Sequence, residues 1–144
     1  MNTRTMRMYR SYIEVSTSGH GQMVDLTARI TEEIKRSDIQ QGLIHLFAVG
    51  STVALGTIEF EPGLLKDLPA LMDELAPPDR RYHHDATWHD GNGHSHLQAT
   101  LLGATLTLPL EGGQPVLGTW QQVFLLECDI RPRRRRVVAT IIGQ

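Results

Sequence analysis

The chain has 144 residues, 14 lysines and arginines against 16 aspartates and glutamates, a formal net charge of -2 and one cysteine. It is long enough to bury a core as one domain, 1–144, without metal or disulfides, and its charge balance excludes a general field for nucleic acid or an anionic membrane. The single Cys128, the absence of a signal-like apolar run in MNTRTMRMYRSYIEV and the lack of any stretch long enough to span a bilayer give the expectation of a cytoplasmic protein with no membrane partner.

Met6 to Ser16 carries Tyr9, Tyr12, Ile13 and Val15 in loose alternation, which predicts a half-buried strand closed by a turn at Ser18–Gly21. Asp25 is placed to cap a helix over Asp25 to Arg36, in which Leu26, Ile30 and Ile34 recur every fourth residue. GLIHLFAV, from Gly42 to Val49, is short and almost wholly apolar, so it reads as a strand buried on both faces with His45 as a hydrogen-bonded core residue. Gly50-Ser51-Thr52 then interrupts the apolar run as either a backbone nest for an anion or an ordinary turn. A second strand follows from Val53 to Phe60, ending at Glu59 and Glu61. Asp67 with Pro69 reads as the start of a helix whose Leu68, Leu71, Met72 and Leu75 form a core stripe.

Between Tyr82 and Gly103 lie five of the seven histidines, His83, His84, His89, His94 and His96, with Asp85, Asp90, Asn92 and Trp88. Imidazole titrates near neutrality and is the commonest metal ligand, so its clustering beside two carboxylates points to a metal or a proton-transfer centre rather than a plain solvated loop. Asn92 is a plausible cap for a helix with Leu97, Leu101 and Leu102 on one face. That helix would put His94 and His96 in its first turn, where a phosphate is at home. A strand over Ala104 to Leu110, a turn at Glu111–Gln114, a long strand over Val116 to Asp129 and a terminal strand over Val137 to Ile142 complete the chain. Cys128 reads as a packed thiol and not a nucleophile, because no cation on its own face would lower its pKa. The sum is a compact, largely antiparallel α+β domain with about seven strands and three short helices.

Four stretches taken together, GSTVALGTIEFEPGLLKDL (50–68), the loop with GHSHLQATLLG (93–103), LPLEGGQPVLGTWQ (108–121) and RRRRVVATIIG (133–143), resemble the YjbQ-like or secondary thiamine-phosphate synthase family. The resemblance spans the whole chain. It implies an α+β fold of mixed and antiparallel sheets, a homotrimer, and a site near the subunit boundary that holds a metal. The activity it implies joins hydroxymethylpyrimidine diphosphate to thiazole phosphate, giving thiamine phosphate and pyrophosphate. By the same resemblance Ser51 and Thr52 match the hydroxyls that many members show as His-Thr-Thr, and Glu59, His84, His96, Trp120, Gln121 and Arg135 match the family's glutamate, histidines, tryptophan-glutamine pair and arginine. Gly50 departs from the pattern, standing where many members have histidine, and His83, His89 or His94 are the imidazoles that could compensate.

Such a displacement needs the leaving diphosphate neutralised and the reactants held close, more than it needs a strong protein nucleophile. The expectation is a small phosphorylated substrate and a divalent ion, magnesium, zinc or manganese, held by His84, His96, Glu59 and Asp90, with Asp85 as a further carboxylate. Ser51, Thr52 and Arg135 would bind phosphate oxygens, beside Trp120 and Gln121. A His-Glu-His set favours zinc, manganese or iron over magnesium. The alternatives are a metal-dependent hydrolase acting through bound water, or a metal-binding trimer with another substrate. Nucleic acid is disfavoured as partner, since Arg131–Arg136 runs straight into a strand and has no stacking aromatics.

Overall fold

A computed structural model describes residues 4–144. Met1 to Thr3, the first residues of the expected domain, lie outside the described residues. The elements are β1 (Arg7–Ser16), β2 (Met23–Asp25), α1 (Thr27–Ser37), β3 (Gly42–Val49), β4 (Val53–Ile58), α2 (Leu64–Leu75), α3 (His83–Trp88), α4 (Gly93–Leu102), β5 (Thr105–Glu111), β6 (Gln114–Pro115), β7 (Gln122–Glu127) and β8 (Arg134–Gly143). They form an α+β domain of two antiparallel sheets, one ordered β1-β8-β3-β5-β6 and the other β2-β7-β4.

Strand alternation decides what meets in the middle. Ile13 and Val15 of β1, Val137, Ala139 and Ile141 of β8, and Ile44, Leu46 and Ala48 of β3 point inward. They pack with Val53 and Leu55 of β4, Val123 and Leu125 of β7, and Ile30 and Ile34 of α1. The opposite face of the smaller sheet, Ala54, Phe124, Leu126 and Cys128, packs beneath α2 and α4 against Met72 and Ala99. The result is a bare sheet face, an inner sheet and a helical cover.

Several expectations are corrected by this layering. β3 has the expected bounds but only one buried face, and Leu43, His45, Phe47 and Val49 are exposed. His45 is therefore not in the core; its Nδ1 lies 3.1 Å from Thr107 Oγ1 on the neighbouring strand. The glutamate at the start of α2 supplies the cap that Asp67 was expected to give, since the Glu61 carboxylate accepts the Gly63 and Leu64 N–H groups and Pro69 falls inside the helix. Leu71 and Leu75 of α2 and Leu97 and Leu101 of α4 are exposed, so their stripes are only partly core. Residues 116–121 form a turn segment, not the first half of a strand, and β7 begins at Gln122. Asp25 ends β2, and its carboxylate accepts the Thr27 N–H at 2.9 Å where α1 begins. No helix among the described residues is long and apolar enough to cross a membrane.

Candidate functional site

The histidine-rich stretch folds as two short helices turned back on each other. Buried Tyr82 anchors its start by donating to the Pro77 carbonyl at 2.8 Å. After six residues of helix α3 stops at His89, which takes a left-handed backbone (φ 57°), and Gly91 does the same at φ 68°. The chain then re-enters as α4 beneath Tyr82. Gly93 is required there, because a Cβ would stand 2.7 Å from Tyr82 Cβ. Asp85 Oδ1 accepts the Gly93 N–H at 3.0 Å, so the carboxylate of one helix satisfies the start of the next.

This folding brings His84 and His96 together, with ring centroids 4.4 Å apart and planes tilted by 57°. His84 Nε2 lies 3.3 Å from Asp90 Oδ1 and 3.0 Å from the side-chain oxygen of Asn92. That amide position is itself 3.0 and 3.2 Å from the two Asp90 oxygens. Neighbouring ligands around a divalent ion with bonds of about 2.1 Å are spaced about 3.0 Å in an octahedron and about 3.4 Å in a tetrahedron. The observed separations fall in that interval. A ligand atom of Asp85 lies within 4.8 Å of those of His84 and Asp90, but its Oδ1 is already engaged by Gly93.

The Asn92 orientation is contested by two carboxylates. With its nitrogen towards Asp129 Oδ1, at 3.5 Å, its oxygen faces Asp90 and His84; with the amide turned over, the nitrogen donates to Asp90 and the oxygen meets Asp129. An amide has one NH2 and cannot serve both sides. A cation among His84, Asp90 and Asn92 would resolve the conflict in favour of the oxygen-inward orientation, so the donor set fits a divalent metal of mixed nitrogen and oxygen preference.

Behind this set runs a buried polar network that sequence reasoning missed. Asp129 accepts from the Ile130 N–H at 2.8 Å, the Thr52 hydroxyl at 3.1 Å and Arg133 Nε at 2.9 Å. Burial acts to raise its pKa, but these donors outweigh it and hold the carboxyl below the ordinary value. Thr52 accepts in turn from Arg135 Nη2 at 2.8 Å, and Arg135 also grips Glu127 with Nε and Nη2. Thr52 and Arg135 are expected at the site as phosphate binders, but the two acids, Glu127 and Asp129, two residues apart at the end of an apolar strand and followed by arginines, read from the sequence only as one face of that strand.

The expected site residues fall into two groups. Ser51 and His96 line one cavity of about 290 Å3 with Gly50 and Val53, and His96 also lines a cavity of about 260 Å3 with Tyr82, His83 and His84. Thr52 and Arg135 lie just behind, with the Thr52 hydroxyl committed to Asp129 and Arg135. Glu59, Trp120 and Gln121 are elsewhere, sharing a shallow cavity of about 440 Å3 with Thr57, to which Gln121 donates at 2.9 Å. The pairing fixes the separation: Val53 faces Glu127, whereas Ile58 faces Gln122. Five residues of strand put roughly 17 Å between the two ends. Within one subunit, therefore, Glu59 is not brought to His84 and His96; of the residues expected to hold a cation, His84, His96 and Asp90 come together, and Asn92 joins them.

The compensating imidazoles divide similarly. His83 and His89 are exposed at the two ends of α3, while His94 points away from the site and is 1% exposed, its ring 5.0 Å from that of His20. Burial, then His20, lowers the His94 pKa. His20 Nε2 is 2.7 Å from Asp73 Oδ1, which also accepts from Gln98 at 2.9 Å, so this second cluster ties the loop before β2 to α2 and α4.

A family model described as UPF0047 protein YjbQ-like matches residues 11–144. A UPF0047 protein of Methanothermobacter thermautotrophicus is 34% identical over 96% of this chain and 95% of its own, and one of Archaeoglobus fulgidus is 36% identical over 88% and 95%. Among solved structures, a YbjQ-like protein of unknown function from Sulfolobus solfataricus P2 superposes with a TM-score of 0.92 at 35% identity, covering 97% of this chain and 100% of that one.

Proposed function

This chain belongs to the UPF0047 YjbQ-like family, and we propose that it is a divalent-metal-dependent transferase of the thiamine-phosphate synthase type, joining hydroxymethylpyrimidine diphosphate to thiazole phosphate. The observation that carries the metal half of this reading is the convergence of His84 Nε2, Asp90 Oδ1 and the Asn92 amide at separations of 3.0 to 3.3 Å. The transferase half rests on the family resemblance and on the cavities beside those residues.

In this reading His84, Asp90 and Asn92 hold the cation, which when bound supplies charge neutralisation for a diphosphate leaving group. His96, common to both cavities, is the residue positioned to give a proton to the departing oxygen. Ser51, exposed at the rim, donates to phosphate oxygens. Glu59, Trp120 and Gln121 take part only if a neighbouring copy supplies that end of the β4–β7 ladder, which fits a homotrimer with a composite site. The bare face of the larger sheet, with Met8, Tyr12, Leu43, Phe47, Val49 and Ile142 all exposed, supports burial against other copies.

The test is incubation of metal-free and metal-loaded protein with both thiamine precursors, alongside His84→Ala and His96→Ala. Thiamine phosphate and pyrophosphate form in the metal-loaded wild type and fall sharply in both variants. Absence of thiamine phosphate under every condition would remove the synthase reading, and cleavage of the diphosphate without coupling would assign a hydrolase instead.

A further inference from the structure

We infer that Asp129 is a positioning residue for the cation site: by accepting from the Asn92 amide nitrogen it turns the amide oxygen towards His84 and Asp90, where an ion can use it. The inference rests on the metal reading above and gives a role to a carboxylate that stands behind the ligand set.

Asn92 opens α4, yet its side chain makes no capping hydrogen bond. An asparagine at a helix start ordinarily spends its oxygen on the first free N–H groups. Here the Gly93 N–H goes to Asp85 instead, at 3.0 Å, and the Asn92 oxygen is released from that duty. The residue is buried, so neighbouring protein groups and not bulk water decide which way its amide points.

The two carboxylates that compete for that amide are not equivalent. The Asp90 side chain is 37% exposed and can draw donors from solvent. Asp129 is 2% exposed and immobilised, its Oδ2 by the Thr52 hydroxyl and by Nε and Nη2 of Arg133, its Oδ1 by the Ile130 N–H. Among the described residues, Asn92 is the one side chain that can donate to Oδ1, across 3.5 Å. That separation is long for a hydrogen bond, against 3.0 and 3.2 Å from the amide to Asp90, so without an ion the nitrogen is drawn both ways. A cation beside Asp90 repels the NH2 group and leaves Asp129 as its acceptor.

Oδ1 of residue 129 must therefore remain an acceptor. In Asp129→Asn, Thr52 and Arg133 together outweigh the single Ile130 N–H and keep the remaining oxygen at the Oδ2 position. The new NH2 group then faces Asn92, donates to its oxygen and turns the Asn92 nitrogen towards the ion. An aspartate at position 92 escapes this coupling, because both of its oxygens accept and the ion meets one of them whichever group stands at 129.

The experiment is a double-mutant cycle read by calorimetric titration of zinc into full-length protein stripped with EDTA and dialysed: wild type, Asp129→Asn, Asn92→Asp and the double variant. Asp129→Asn weakens zinc by about 10-fold or more in the wild-type background. In the Asn92→Asp background the same change moves the affinity by less than about 2-fold. A merely structural role for Asp129, such as steadying the start of α4, would weaken zinc by a similar factor in both backgrounds, and that result overturns the inference. Undiminished binding in Asp129→Asn overturns it as well. Should Asp129→Asn fail to fold, Asp129→Ser, which also removes the carboxylate, runs the same cycle. Wild type that binds zinc without coupling between positions 92 and 129 removes this inference alone, whereas wild type that binds no zinc removes the metal reading and the inference with it.

Discussion

Arg135 holds Glu127 through two nitrogens, Nε and Nη2, across the gap between the two sheets, and both side chains are buried. Thr17 donates to the same carboxylate at 2.6 Å and the Asp129 N–H at 2.9 Å, so no lone pair is left to water. Removing either partner strands a buried charge, which costs about 3–5 kcal/mol, whereas replacing both by apolar residues of similar volume costs far less. Urea unfolding of Arg135→Ala, Glu127→Ala and the double variant Arg135→Met with Glu127→Leu should show two severe losses and one partial recovery.

Asp129 links stability to pH. Its carboxyl lies below the ordinary value in the folded chain, so the ionised form stabilises the fold; that contribution is complete above the unfolded value near 4 and is lost as pH falls through the lower folded value. Thermal melts of Asp129→Asn should start lower at pH 7 and decline less between pH 5 and pH 2 than those of wild type. Parallel declines would mean that other carboxylates carry the acid limb.

Cys128 is fully buried, and burial followed by the Glu127 charge pushes its thiol up to about 12. The thiolate needed for alkylation is almost absent at pH 8. Native protein should resist iodoacetamide over hours and be labelled once unfolded in denaturant, as read by intact mass.

The exposed apolar face of the larger sheet predicts an assembly defect from one charge. Phe47 stands beside Val138 on that face and is 42% exposed, so Phe47→Asp costs little inside the subunit. Sedimentation should report three copies for wild type and one for the variant. Three copies in both would move the contact elsewhere.

Local pattern carried much of this architecture, and distance along the chain carried less. The apolar run at Gly42–Val49 gave the bounds of β3 correctly, but a strand apolar on both faces reads the same whether its outer face meets protein of its own subunit or lies bare. α3 was read as loop because six residues are too few for helical periodicity to show. His84 and His96 were joined by their place in one short stretch. Glu59 is grouped with them by the family resemblance alone, since nothing local reveals that β4 carries it to the far end of the ladder from Val53. Asn92 was read as a cap, and only the fold shows its amide caught between Asp90 and Asp129.

Titration of zinc and manganese into EDTA-treated protein tests most directly whether His84, Asp90 and Asn92 form a cation site. One ion per chain should bind to wild type and to Glu59→Gln, with affinity falling about 10-fold or more in His84→Ala and in Asp90→Asn. Metal bound equally well by His84→Ala and Asp90→Asn, or lost in Glu59→Gln alone, would contradict that assignment.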